Sequence, residues 1–411
     1  MNEAKSESVR EPGLFVIWEK GRSLQDRILA DLAANFHVNR VTEFHWTPSM
    51  LWANYQRFYS DTHIRGSAHT RNKGSGPFLA VNVIIDSPTY DQRMTRNRGM
   101  RLVNSKMFDA KTRYREWTDG FAIHCGETLS ENVRDAYMLF GPRSDAWEDC
   151  EFRNWNGSID VFHQDPMGAH GWQSFEELFG ALNRAINYVM IYYGRYEAAM
   201  DGIARGHSFD ILTSNYYEAH TLLQNGPRLS SALKRGGRLT TRVGNELVKL
   251  NLRFPGDGLF EETWATSILD ARIDGPGGFY RPREDEHYWL MAQNAVAQRA
   301  PIDRQILNES KSVAAARYIL TSSDLPTDDV GLQALMRSHL ISRGIWQAGD
   351  ETRLRAATRL VTSALQQRFH ILTAQLRTTY FNARDTILEK MPVLSAIKRS
   401  IKLLTSGRQS V

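Results

Sequence analysis

Ser208-Phe-Asp210 and Leu250-Asn251-Leu252 are the places where residue type and spacing come closest to a reactive site. Each polar residue interrupts a short apolar run of strand length. Residues two apart on a strand face the same side, so Ser208 and Asp210 share a face, as do Asn251 and Arg253. Carboxylates converging in this way from neighbouring strands hold the magnesium ions that bridge phosphate oxygens. Here the only acid in the pattern is Asp210, a candidate metal ligand or base, with Ser208 and Asn251 as neutral companions. An earlier apolar run, Tyr188-Val-Met-Ile-Tyr-Tyr, ends in Gly194-Arg195. Arg195 and Arg253 are candidate phosphate contacts, because a guanidinium matches phosphate oxygens in pairs. The plainer alternative is a small α/β domain in which Asp210 caps a loop.

A second polar cluster is Trp117-Thr-Asp-Gly-Phe-Ala-Ile-His124-Cys125-Gly126. His124 could donate to a phosphate or move a proton, and the glycines permit close backbone approach. The competing reading is a buried, satisfied histidine. Neighbouring strand residues point opposite ways, so Cys125 and His124 are not expected to act as a couple. The residues before this cluster are strongly basic. From His63 to Arg115 there are eleven Lys or Arg, Arg113 and Arg115 among them, against three Asp. Such an excess favours an anionic partner, unless it is simply a solvated face. His163, Asp165 and His170 also fall close together, but in no fixed metal-ligand spacing.

The elements that must position these residues follow from periodicity. Leu14–Trp18 reads as a strand, Arg22–Phe36 as a helix and Val38–Trp46 as a second strand, a β-α-β opening. Met50–Tyr59 reads as an aromatic-rich helix. Phe78–Ile85 is a nearly unbroken apolar strand, as expected when both faces are covered. Asn104–Trp117 and Ser130–Phe140 read as helices. Further on, Ser174 caps a helix running to Asn187, a strand follows at 188–193, and Asp210-Ile-Leu begins another. Tyr216–Leu223 is a helix, and Arg238–Val243 with Glu246–Phe254 forms a hairpin turned at Gly244-Asn245. From Glu284 onward the spacing is helical.

The helix, the strand ending at Gly194, the Ser208-x-Asp210 strand and the later Asn251 strand together resemble the nucleotidyltransferase superfamily of polymerase β type. The resemblance spans roughly residues 172–280. In that family a glycine pair, an Asp-x-Asp and a third Asp stand where Gly194-Arg195, Ser208-Phe-Asp210 and Asn251 stand here. It implies a magnesium-assisted transfer from a nucleotide or nucleotide-sugar, with a catalytic motif that has degenerated. The run Gly278–Tyr288 is similar to a segment following such domains in bacterial surface-polysaccharide biosynthesis proteins, which implies a glycan or lipid-linked acceptor. The Gly-rich turn before His124 is similar to the ParB/sulfiredoxin-type nucleotide-binding fold, although Cys125 replaces the arginine that follows the histidine there.

Composition sets the outer bounds. The chain has 411 residues, 42% apolar and 24% charged, with net charge +5. These are the proportions of a soluble globular protein. No run approaches the length of a bilayer span, and no P-loop, GxSxG or HExxH is present. Two cysteines, Cys125 and Cys150, lack metal spacing and read as reduced thiols of a cytoplasmic protein. The expected class is α/β (α+β): residues 1–11 disordered, 12–145 a basic α/β domain, 146–171 a linker, 172–283 the nucleotidyltransferase-like domain, 284–380 helical, and 381–411 a basic amphipathic tail. In that tail six Lys or Arg between Arg384 and Arg408 face two acids. Such a helix docks on its own protein or lies on the inner face of an anionic membrane. Two functions compete: transfer of a phosphate-linked group, and a non-catalytic nucleotide- or polyanion-binding scaffold. Nucleic acid ranks last, since the basic stretch has few interleaved aromatics.

Overall fold

The computed structural model describes residues 9–60, 71–95, 99–118, 120–145, 154–192, 208–257 (228 and 230–237 excepted), 260–290 (284 and 288 excepted) and six positions between 334 and 342. Met1–Ala348 forms one compact unit and Gly349–Val411 another, and all described residues belong to the first. Gly194, Arg195, Cys150 and the C-terminal tail lie outside the described residues.

The fold is mixed α/β, as the periodicity implied, with two principal sheets. The first is built by β1 (Arg10–Ile17), α1 (Gln25–Asn35), β2 (His37–Phe44), β3 (Phe78–Asp86), α3 (Ser105–Trp117) and β6 (Ile123–Cys125). Strand order is β6-β1-β3-β2, with β3 antiparallel to both β1 and β2, and β6 antiparallel to β1. These are two interleaved split β-α-β units, a ferredoxin-like arrangement. The middle strands β1 and β3 are apolar on both sides because both faces are covered. Phe15, Ile17, Val81 and Val83 pack on α1 and α3, while Leu14, Val16, Phe78 and Ala80 join a second core.

That second core reaches into the other sheet. It contains Trp18, Phe44, Phe58 and Phe140 together with Trp172, Leu182, Ile211 and Leu250. The joining elements are α2 (Leu51–Tyr59), α4 (Leu129–Phe140) and α5 (Phe175–Ala185). The 146–171 stretch, read from the sequence as a linker with one strand at Ser158–His163, supplies β7 (Asp160–Phe162), parallel to the edge of β2. It also supplies Asp165, whose Oδ1 accepts from Thr47 N–H at 2.9 Å and Asn54 Nδ2 at 2.5 Å. From α2, the fully buried Arg57 donates to the carbonyls of Gln224 and Gly226. The first strand starts at Arg10, inside the stretch expected to be disordered, because Arg10 pairs with Asp86 at the end of β3. Not foreseen was the ribbon of β4 (Tyr90–Thr95) and β5 (Gly99–Asn104), whose largely exposed residues give no apolar alternation to read.

The second sheet has β8 (Tyr188–Tyr192), β9 (Ser208–Thr213), β10 (Arg238–Val243) and β11 (Glu246–Arg253), in the order β10-β11-β9-β8. The expected hairpin joins β10 to β11. Strand β11 runs parallel to β9, and β8 runs antiparallel to it. Helix α6 (Tyr216–Leu223) follows β9, with Asn215 accepting from Glu218 N–H at its start. Helix α7 (Glu262–Asp270) lies against β8 and β9, its first turn capped by Glu261 on Trp264 N–H.

Candidate functional site

The second sheet brings together two of the residues singled out by sequence. Parallel pairing sets Asn251 directly opposite Asp210. Asn251 Nδ2 donates to Asp210 Oδ1 at 2.6 Å, and Asp210 is only 7% exposed. Phe209, Ile211, Leu250 and Leu252 turn the other way, into the core. Two residues along β11, Arg253 holds Asp257 across 3.8 Å, and the buried Arg253 Nε has no hydrogen-bond partner among the described residues. Ser208 opens β9 one row away, opposite Lys249. Among the described residues no group of three or more His, Cys, Asp or Glu is placed to hold a metal. One carboxylate already bonded to an amide does not fit a two-metal cage.

The first sheet carries the better-formed chemical site, at His124. Strand alternation sends Ile123 and Cys125 into the core under α1 and α3 and turns His124 toward α2 and α4. Helix α3 steadies this strand: Lys111 and Arg115, one turn apart, donate to the carbonyls of Cys125 (3.1 Å) and Ile123 (3.0 Å). Gly126 lets the chain pass under α4. A Cβ there would lie 2.6 Å from Asn132 Oδ1, an atom that also accepts from Leu14 N–H.

His124 Nε2 meets Asp135 Oδ2 at 2.6 Å, and Asp135 is fully buried. Arg134 places Nε and Nη2 on the other oxygen, at 2.9 and 2.6 Å. Burial would raise the Asp135 pKa, but the Arg134 charge and the His124 bond outweigh it and hold the carboxyl below its usual range. Burial also lowers the His124 pKa, more than Asp135 restores it. The ring is therefore neutral near pH 7, with its proton on Nε2 toward Asp135 and a lone pair on Nδ1. Among the described residues Nδ1 makes no hydrogen bond, and the side chain is 14% exposed.

The surroundings of the ring are aromatic and cationic. Phe58 and Tyr59 meet it edge-on, with ring centres 5.3 and 5.0 Å away. Lys73 Nζ lies 5.0 Å from the centre of the Tyr59 ring, and Lys73 is 7% exposed. Burial, then the charge of Arg115, brings the Lys73 pKa down to about 7. Among the described residues neither Lys73 nor Arg115 pairs with a carboxylate. A buried unpaired cation is costly and marks a place where an anion belongs. Sequence reasoning named His124 and Arg115 here and missed Lys73 and Asp135. Asp135, eleven residues past the histidine, is one of two acids on α4, and no sequence pattern marks it as the inward-facing one.

The remaining candidates sit elsewhere. Arg113 turns away from His124 and donates to Asp31 at 2.5 Å. The Cys125 thiol, pushed up to about 11 chiefly by burial, is unreactive near neutrality. His170 bonds Asp165 at 2.7 Å, and His163 stacks on His45. Both histidines line a cleft of about 1110 Å³. Two of its three arginines are committed, Arg143 to Gln164 and Arg184 to Asp145, and Arg242 is the third.

The chain matches no protein-family model, no curated protein and no solved structure. Among the described residues no helix is long and apolar enough to cross a membrane.

Proposed function

We propose that the chain transfers a phosphate-linked group from a nucleotide-type donor, with His124 receiving the phosphate. One observation carries the reading: a buried carboxylate holds one nitrogen of a neutral histidine, the other nitrogen makes no hydrogen bond among the described residues, and two nearby cations pair there with no carboxylate. This is the nucleophile-with-orienting-partner arrangement of covalent catalysis. The Nδ1 lone pair attacks the terminal phosphorus of the donor. The N–P bond forms, the bridging P–O bond breaks, and its electron pair leaves with the nucleoside diphosphate oxygen. The ring proton remains on Nε2, where Asp135 stabilises the growing positive charge. Lys73 and Arg115 balance the charge on the phosphoryl oxygens. The phosphate then passes to an acceptor, for which the polysaccharide resemblance implies a glycan or lipid-linked precursor. Magnesium, where used, enters with the donor phosphates.

The nucleotidyltransferase-like reading of the second sheet stands beside it. It is supported by the contact of Asp210 with Asn251 across parallel strands, where the resemblance implies that the second and third acidic positions meet. With one carboxylate, that row serves donor binding in this reading, with Arg253 on the phosphates.

The test is incubation with nucleoside triphosphates labelled in the terminal phosphate. Label that is acid-labile, alkali-stable and lost in His124→Gln is the expected result. Absence of label with every donor, alongside nucleotide binding that persists in His124→Gln, would favour the non-catalytic scaffold.

A further inference from the structure

We infer that Glu218, contributed by the helix that follows β9, is a positioning residue for His124, acting through Arg134 and Asp135. This rests on the reading of His124 as the reactive group. Arg134 uses Nε and Nη2 on Asp135 Oδ1 and sends Nη1 to Glu218 Oε1 at 3.0 Å. Glu218 is in the first turn of α6, and its second oxygen accepts from Asn215 Nδ2 at 3.0 Å. Asn215 is fastened in turn, its N–H donating to Thr213 Oγ1 at the end of β9. All four side chains of the His124–Asp135–Arg134–Glu218 chain are 16% exposed or less.

Arg134 is shared between two carboxylates on two different helices, Asp135 of α4 and Glu218 of α6. If Glu218 did not take part of its charge, the whole guanidinium would act on Asp135. Asp135 would then be a poorer acceptor for His124 Nε2–H and a weaker stabiliser of the ring once phosphorylated. The other charged and titratable groups facing His124 are Lys111 and Arg115 from α3, Tyr59 from α2, and Lys73 beside Tyr59. Lys111 and Arg115 disfavour a positive ring, so the balance rests on the acids reaching it along this chain. The first sheet carries the histidine, and the helix that follows β9 of the second supplies the charge that tunes it.

The experiment is an NMR titration of the His124 ring in the full chain, which requires no turnover and so can fail independently of the phosphotransfer reading. Glu218→Gln keeps the shape and loses the charge. The His124 midpoint is expected to fall by roughly half a unit or more, as expected when a negative charge is removed from a poorly solvated network. Glu218→Asp should restore most of it. Arg134→Gln removes the intervening cation and should move the midpoint the opposite way, upward, which provides a second readout should Glu218→Gln not fold. A midpoint unmoved by either substitution in folded protein, or moved in the same direction by both, overturns the inference.

Discussion

His124 Nε2 lies 2.6 Å from Oδ2 of Asp135, a carboxylate with no solvent exposure, and the two residues are placed by different elements, an edge strand and the helix after it. Strand β6 presents the ring because its alternate residues are anchored in the opposite core. Asp135 remains ionised because the Arg134 charge and the His124 hydrogen bond outweigh its burial. The pair therefore orients a reactive nitrogen and also adds to a buried ion network, and the two roles are separable by substitution.

Asp135→Asn should reduce phosphoryl transfer by about 10²–10³-fold, the usual range for losing a group that stabilises charge developing in the transition state. It should also destabilise the fold by about 3–5 kcal/mol, because it leaves Arg134 without its buried counter-charge. His124→Gln should abolish labelling outright while costing only about 1 kcal/mol, since an amide N–H can still reach Asp135. Urea unfolding alongside the labelling assay separates these outcomes. Equal loss of stability in both variants would remove the distinction drawn between them.

Asn251→Asp would set two carboxylates side by side on the parallel strands β9 and β11. Repulsion between them should lower stability in the absence of metal, and a divalent cation should recover it. The melting temperature of this variant is expected to rise with millimolar magnesium or manganese, while the wild type responds much less. Asp210→Ala should cost about 0.5–1.5 kcal/mol by removing the hydrogen bond from Asn251 Nδ2. A variant indifferent to metal would count against reading this row as a worn phosphotransfer site.

Anion binding at His124 should take up a proton. Lys73, brought to about 7 mainly by burial, is largely neutral at pH 8, and an arriving phosphate favours its charged form. Affinity for phosphate or nucleotide should therefore fall as pH rises from 7 to 9, by about tenfold per unit at most. Calorimetric titration in two buffers of different ionisation enthalpy reads the proton count directly. Lys73→Met should lose the uptake, and an unchanged count in that variant would rule Lys73 out of the anion site.

Mild acid should weaken the fold before carboxylates titrate. Burial lowers His220 and His287 from 6.5 to about 4 and also lowers His124. Each folded-state value is depressed, so the unfolded chain binds the extra proton first. The stability is complete above pH 6.5 and is lost as pH falls from there toward 4. At pH 5 the loss is on the order of 2 kcal/mol for each of His220 and His287. Urea midpoints at pH 7 and pH 5 should show it. His220→Gln should flatten part of the slope, because Gln224 Nε2, which donates to His220 Nδ1 at 2.8 Å, can be met by an amide oxygen.

Periodicity and caps were readable without the fold. Phe78–Ile85 announced a doubly covered strand by its unbroken apolar run. The Ser174 cap and the Gly244-Asn245 turn marked their elements because local hydrogen bonds and backbone conformation are encoded by neighbours. The opposed facing of His124 and Cys125 followed from the two-residue strand period. Distance in space was another matter. That Asn251 lies against Asp210, forty-one residues away, depends on β11 choosing a parallel register beside β9, which long-range packing decides. Asp135 looked like an ordinary helix surface acid until α4 was folded onto β1, and Lys73 like one more cation in a basic stretch until burial beside Tyr59 isolated it. The sequence by itself determined the mixed α/β class, most of the elements and which residue types were available for chemistry. Tertiary structure alone decided which charges were desolvated and which met, since burial and Coulomb energy depend on three-dimensional neighbours that no local pattern records.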